Sequence, residues 1–140
     1  MLQNNIIEES HGINAVTQYD KQNNNVEFTP GEYAKVDVET FIKIDPEVIV
    51  VPNYAKFSID DLYNDSRLQN MRAIQNKQIF MFPCKLEPWD YSTLSSCLAI
   101  CYTTHKLHPD LYSHEKLMQT CDKFYQTLYN KTFSEEQLGI

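Results

Sequence analysis

The chain has 140 residues, of which 42% are apolar and 12% aromatic, and its formal net charge is -7. This length allows one ordinary domain, and the composition is typical of a folded globular protein and not of a disordered segment. The acidic balance repels phosphate backbones at long range, so nucleic acid is not expected as a partner.

The N-terminal residues and the apolar runs bear on location. Residues 1–14 lack the basic start and the apolar core of a secretory signal, so the chain as written is expected to carry no export address. If this is the native start, a cytoplasmic location follows. The apolar runs, such as Val48–Val51, are far shorter than the roughly 20 residues that cross a bilayer, so no membrane span is predicted.

The first half of the chain contains a polar segment, a short helix and a strand. Residues 17–35 hold three consecutive asparagines, one proline and one glycine, which predicts an exposed connection. Apolar spacing predicts a helix over 37–44 that stops before Pro46, because proline disfavours the α conformation of the residue before it. Residues 48–51 are β-branched throughout, which is typical of a strand buried on both faces of a parallel sheet.

The second half contains another strand and two long helices. Residues 79–82 form a second apolar run and predict a strand. Apolar positions recur at intervals of three and four over 92–105 and again over 117–128, and each pattern predicts one buried face of a helix. Pro109 is expected to end the first of these helices.

Two capping signatures predict further short helices. Ser58 with Asp61 forms an N-cap pair, and Ser134 with Gln137 forms a capping box. The resulting order is helix, strand, short helices, strand and two long helices. Such alternation predicts the α/β class, as a single three-layer lobe with a short, mostly parallel sheet flanked by helices, in one domain over residues 1–140.

Five segments, taken in order, resemble one protein family. They are residues 12–14 (Gly-Ile-Asn), 38–50 (with Pro-Glu-Val-Ile leading into the strand), 73–82, 83–90, and 107–129, where a His-Pro turn precedes a helix with Phe-Tyr. In this arrangement the chain resembles the C-terminal lobe of the substrate-binding proteins that serve ABC importers of ferric siderophores, haem and cobalamin. The resemblance covers about residues 12–140, and His11 stands where the family usually has a glycine.

The resemblance implies a function in uptake and not in catalysis. The expected ligand is an iron chelate, the expected partner is an ABC permease, and the expected location is the periplasm or the cell surface. The alternatives are cobalamin, haem or another metal complex as ligand, or a non-transporting, truncated relative that acts as a protein-interaction domain. Because the family's first lobe is not among these residues, an exposed apolar patch or sheet edge and self-association are also expected.

The loops that follow the two predicted strands are the candidate ligand-binding segments, since ligands of open α/β sheets bind beyond the carboxyl ends of the strands. The second loop offers Lys85, Trp89 and Tyr91, which could stack on a flat ligand and neutralise an anionic chelate. The first loop offers Tyr54 and Lys56. The alternative for Trp89 is that it packs its loop onto Tyr91 and the following helix.

Glu39 is the candidate contact to the transporter. In the resembling family, an exposed glutamate near the start of the equivalent helix pairs with arginines of the permease, and Glu39 matches that position. A carboxylate in a first helical turn is stabilised by the helix dipole and stays available for a bidentate arginine contact. The alternative is that Glu39 stabilises the helix only.

Cysteine and histidine side chains are candidates for a metal site or a nucleophile. Cys101, His105 and His108 lie at helical spacing, but packing is the stronger interpretation because no fourth ligand is evident. Cys84 has no oxyanion-hole motif or paired carboxylates near it, and the glycines form no phosphate-binding loop. No catalytic residue, metal ligand or cofactor is therefore predicted.

Overall fold

A computed structural model of the chain describes residues 2–29 and 33–140. The elements, in chain order, are α1 (Leu2–Glu9), α2 (Ala15–Asn23), β1 (Glu27–Phe28), β2 (Ala34–Lys35), α3 (Val38–Ile44), β3 (Ile49–Val51), α4 (Ile59–Asn64), α5 (Arg72–Gln75), β4 (Ile79–Met81), α6 (Ser96–Leu107), α7 (His114–Tyr129) and α8 (Glu135–Leu138). They group into two compact units, one of residues 13–81 and one of residues 2–12 with 82–140. None of these helices is both long and apolar enough to cross a membrane.

The first unit is built on a parallel pair of strands. β3 and β4 lie side by side with Ile49 opposite Ile79 and Val51 opposite Met81, and helices pack against them, which confirms the predicted α/β arrangement. The buried core residues are Val51, Leu68, Met71, Ile74 and Ile79. Within β3 only Val51 is fully buried, which corrects the expectation of a strand buried on both faces.

Arg72 ties together the segments that lead into the two strands. Its main-chain N–H donates to Asp45 Oδ1 at 2.8 Å, its Nε donates to Asp45 Oδ2 at 2.9 Å, and its Nη1 contacts Glu47 Oε1 at 2.7 Å. Nη2 also donates to the main-chain carbonyl of Asp45. Asp45 ends α3 in the left-handed conformation with φ of 43°, which aspartate tolerates better than most residues. The start of α5 is thereby fixed to the end of α3.

The segment expected to be an exposed connection, residues 17–35, includes residues 30–32, which lie outside the described residues. Its described parts, 17–29 and 33–35, are largely exposed but carry regular structure. They include most of α2 and the antiparallel pair of β1 and β2. The Asn14 side chain caps α2 by accepting hydrogen bonds from the N–H groups of Val16 and Thr17. Asn24 ends the same helix with φ of 49°. The asparagines therefore delimit a helix that buries no residue, and its weak apolar periodicity explains why the sequence pattern does not predict it.

The other helix and cap predictions are mostly confirmed. α3 covers Val38–Ile44 with Asp37 as N-cap, and both capping boxes begin their helices, Ser58 at α4 and Ser134 at α8. α6 begins at Ser96, later than residue 92, and ends before Pro109.

The second unit consists mainly of helices: α1 packs against α6, and α6 packs against α7. The buried residues of α6 are Leu98, Ala99, Tyr102 and Thr103, and those of α7 are Leu117, Cys121 and Tyr125. The apolar positions that predict this helix over 92–105 include Cys97 and Cys101. The buried stripe of α6 differs from that pattern, because Cys97 is exposed and Cys101 is half-buried. His11 adopts φ of 57°, so the turn before Gly12 forms with a histidine in the left-handed conformation.

Candidate functional site

The loop after β3 presents its side chains to solvent. Tyr54 is 49% exposed and Phe57 is 47% exposed, and Lys56 is also exposed. A turn in which the Ala55 N–H donates to the Pro52 carbonyl at 3.0 Å sets the loop conformation. An aromatic ring and an ammonium group are thus available for contact with a ligand at the carboxyl end of the strand.

The loop after β4 is anchored by Trp89, which is only 1% exposed. The indole Nε1 donates to Tyr125 Oη at 3.2 Å, and the ring lies edge-on to Tyr102 with centroids 6.1 Å apart. Burial also raises the pKa of Tyr102 to about 12. The structure therefore corrects the expectation that Trp89 offers a stacking surface to a ligand, because the core of the second unit encloses its side chain. Its packing partners lie on α6 and α7.

Lys85 and Tyr91 form the exposed part of the same loop. The Lys85 Nζ donates to the main-chain carbonyl of Glu136 at 2.7 Å, and a Cβ built on Gly139 would lie 3.1 Å from Lys85 Cγ. Lys85 thus rests on the C-terminal helix, and its ammonium retains further donor hydrogens for a ligand. Tyr91 is 44% exposed. Of the three residues predicted in this loop, these two are accessible.

Asp90 is a feature of this loop that the sequence analysis did not single out. Its side chain is buried beside Trp89 in the chain, and burial raises the pKa of its carboxyl group. Gln3 Nε2 donates to its main-chain carbonyl at 3.2 Å, which joins the loop to α1. No periodic pattern distinguishes a buried aspartate from a loop aspartate, so its burial could not be predicted.

Glu39 lies in the first turn of α3 and is exposed. Asp37 is the N-cap of this helix, and its Oδ1 accepts a hydrogen bond from the Thr40 N–H at 2.7 Å. This backbone hydrogen bond from Thr40 lowers the pKa of Asp37. The helix start therefore already has a capping carboxylate, and the Glu39 side chain is not needed for that role.

The Cys101, His105 and His108 set suggested by helical spacing does not assemble into a metal site. Within residues 2–29 and 33–140, no group of three or more His, Cys, Asp or Glu side chains is placed to hold a metal ion. His105 Nδ1 instead hydrogen-bonds the Tyr112 carbonyl at 2.9 Å. The four cysteines are free thiols: Cys84, Cys97, Cys101 and Cys121.

Comparison with known proteins connects this fold to solute-binding proteins. No family model matches the chain. The molybdate-binding protein MolA of Haemophilus influenzae is 22% identical over 106 residues, which cover 74% of this chain and 30% of MolA.

Two solved structures align with almost the whole chain. A periplasmic solute-binding protein from Veillonella parvula matches 98% of this chain and 40% of its own, with a TM-score of 0.77 and 20% identity. Helicobacter pylori CeuE with bound Ni(II) matches 98% of this chain and 41% of its own, with a TM-score of 0.73 and 20% identity. The fold is that of one lobe of a solute-binding protein. The chain spans less than half the length of each of these three proteins.

Proposed function

We propose that this chain forms one lobe of the solute-binding component of an ABC importer and binds an anionic metal-centred ligand, with an iron chelate as the favoured class. The observation that carries the proposal is the alignment of 98% of the chain with a periplasmic solute-binding protein. The relatives are named as binding proteins, which favours a binding role over an enzymatic one. Their location favours the periplasm.

The proposed contacts are exposed side chains of each loop taken by itself: Tyr54 and Lys56 in the first unit, and Lys85 and Tyr91 in the second. Exposed phenol rings can stack on the flat groups of a chelator, and the ammonium groups can offset the negative charge of the complex. These cations matter because the chain as a whole carries a net charge of -7 and repels an anion at long range. Trp89 anchors the loop that carries Tyr91, through its contacts with Tyr102 and Tyr125.

Calorimetric titration of the full chain tests the ligand and the contacts. A ferric catecholate, haem, cobalamin, molybdate and nickel–histidine serve as separate ligands, and the single tryptophan provides an independent fluorescence signal. We expect the ferric chelate to bind most tightly. The double variant Tyr54→Ala with Tyr91→Ala should weaken its binding by about tenfold or more, because a loss of about 1.4 kcal/mol of binding free energy lowers the affinity tenfold. Tyr33→Ala, which removes a tyrosine that is 54% exposed outside these loops, is the matched control.

The outcomes separate the parts of this proposal. Tighter binding of molybdate would contradict the iron chelate as the ligand but would still agree with a role in solute binding. Binding that the double variant and the Lys56→Ala and Lys85→Ala variants leave unchanged would contradict the proposed contacts. Absence of binding for every ligand would favour the alternative, a protein-interaction domain.

We also propose that Glu39 docks on the permease. Its exposed carboxylate in the first turn of α3, with Asp37 already acting as the cap, supports this role. Binding of the chain to the permease of its own importer should fall in Glu39→Ala and persist in Glu115→Ala, which removes the matching exposed first-turn glutamate of α7. Equal affinity of both variants would contradict docking. An exposed ion pair contributes about 1 kcal/mol or less, so the expected loss is at most about fivefold.

Self-association remains a prediction of the same proposal. Exposed apolar side chains such as Leu111 at 80% and Leu94 at 67% would support contact between copies. Light scattering over a range of concentrations should detect a mass above that of the monomer. A monomer at every concentration would contradict this part.

A further inference from the structure

Two histidines meet where α6 ends and α7 begins. His105 lies in the last turn of α6 and His114 is the first residue of α7, and their ring centroids are 5.6 Å apart with planes inclined by 57°. The turn between the helices closes through the Tyr112 N–H, which donates to the His108 carbonyl at 2.9 Å. Helical spacing groups His105 with Cys101 instead, so periodicity alone does not reveal this pair.

The hydrogen bonds of the two rings define their tautomers. His105 Nδ1 lies 2.9 Å from the Tyr112 carbonyl oxygen, and His114 Nε2 lies 2.7 Å from Glu135 Oε1. A carbonyl and a carboxylate can only accept, so each of these two nitrogens carries a proton. In the neutral rings the lone pairs are therefore on His105 Nε2 and His114 Nδ1.

This pattern is the one that metal-ligating histidines use. Such a histidine donates its second ring N–H to a backbone carbonyl or a carboxylate, which orients the ring and makes the ligating nitrogen more basic. His105 has the carbonyl form of this support and His114 has the carboxylate form. Both rings therefore have the hydrogen bond that orients a metal-ligating histidine.

The surroundings of the pair admit an ion from solvent. The His114 side chain is 45% exposed and that of Glu135 is 53% exposed. Lys116, on the first turns of α7, holds its ammonium over the Tyr112 ring at 5.0 Å from the centroid. The Glu135 carboxylate provides a compensating negative charge.

We propose that His105 and His114 form a two-ligand site for a borderline divalent transition ion such as Cu²⁺, Ni²⁺ or Zn²⁺, with water in the remaining coordination positions. Imidazole suits these ions, whereas Mg²⁺ and Ca²⁺ prefer oxygen ligands. Two protein ligands leave open positions, which is the property of an exchangeable site and not of a closed structural one. The site uses no residue of the loops after β3 and β4, so it does not depend on the proposed import function.

A purely structural role for the same residues makes a different prediction. The hydrogen bond from His114 to Glu135 joins α7 to α8, and this alone would make His114→Asn lower the melting temperature. It would not make the melting temperature depend on metal ions. Binding of an ion to the folded state alone raises the melting temperature with ion concentration, so metal-dependent stabilisation distinguishes the two roles.

The test is calorimetric titration of the full chain, freed of metal, with Ni²⁺, and with Mg²⁺ for comparison. We expect one Ni²⁺ per chain and no heat with Mg²⁺. His105→Asn and His114→Asn should each weaken Ni²⁺ binding by more than about tenfold, and Glu135→Gln, which keeps an acceptor and loses the charge, by about tenfold. His11→Asn, at an exposed histidine, is the matched control and should bind as the original chain does.

Two further measurements keep the proposal falsifiable. Ni²⁺ should raise the melting temperature of the original chain and of His11→Asn, and should not raise that of His105→Asn. Alkylation of the exposed Cys84 and Cys97 thiols should leave Ni²⁺ binding intact. Ni²⁺ binding that survives in both histidine variants, or that is lost on alkylation, would overturn the site.

Discussion

The loops after β3 and β4 have similar compositions and are held in different ways. Each contains aromatic residues and lysine directly after a strand of the same parallel pair. After β3, Tyr54 and Phe57 are about half exposed, whereas after β4 both Trp89 and Asp90 are 1% exposed. The first loop is accessible over most of its length, and the second is a buried anchor with an exposed edge. Position beyond a strand therefore predicts where a ligand could bind, but not which side chain can reach it.

The largest expected effect is the difference in stability between the alanine variants of Trp89 and Tyr54. Trp89→Ala should lower the free energy of unfolding by about 3–5 kcal/mol, because it removes a buried ring from a packed core. Tyr54→Ala should change it by about 0.5 kcal/mol or less, since the side chain is half exposed. Urea unfolding followed by circular dichroism measures both. Trp89→Phe, which keeps a ring and loses the Nε1 donor, should fall between them. Equal losses in the two alanine variants would contradict the distinction between the loops.

The next effect tests the contacts by which Arg72 joins the start of α5 to the end of α3. Arg72→Met removes the contacts to Asp45 and Glu47 and should cost about 1–2 kcal/mol of unfolding free energy, discounted because the Arg72 side chain is 48% exposed. The control is Arg67→Met, which breaks the local pair with Asp65, whose pKa the hydrogen bonds from Arg67 lower to about 2. The control should cost less, because its partners lie two residues apart in the chain. A larger loss of unfolding free energy in Arg67→Met than in Arg72→Met would contradict this role of Arg72.

A smaller effect concerns the anchor of the second loop on the C-terminal helix. Lys85→Met keeps the aliphatic contact with Gly139 and removes the Nζ donor to Glu136, so it should cost about 0.5–1.5 kcal/mol. Hydrogen exchange at the amides of α8 should become faster. Lys56→Met, in the exposed loop, is the control and should leave α8 unchanged. Unchanged exchange in Lys85→Met would show that the hydrogen bond does not hold the helix in place.

The smallest expected effect is the pH dependence due to Asp90. Burial raises the pKa of this carboxyl group above its ordinary value of 3.8, so the folded state holds the proton more tightly than the unfolded state does. The stability contributed by the protonated form is complete below that ordinary value and is lost as pH rises through the raised pKa. Asp90→Asn should therefore gain stability relative to the original chain as pH rises from about 4 to 7. Melting temperatures at several pH values measure this difference, and a constant difference would contradict it.

Much of the fold could be predicted because the responsible signals are local. The β-branched run before Pro52 and the capping boxes at Ser58 and Ser134 depend on residues within a few positions of one another. Exposure of Tyr54 and Tyr91 agrees with their predicted availability, although their contact with a ligand stays a proposal. The extent of α6 was less predictable, because Cys97 fits an apolar stripe as well as Leu98 does.

What the sequence determines by itself is the α/β class, the positions of most helices and of the strands β3 and β4, and the resemblance to substrate-binding proteins. Each of these follows from periodicity, caps and ordered motifs, which act over short distances along the chain. Only the tertiary structure decides that Trp89 is a core residue, that Arg72 reaches Asp45, and that His105 faces His114. These facts depend on residues that are far apart in the chain or that lie on different helices, and packing brings them together in ways that no local spacing specifies.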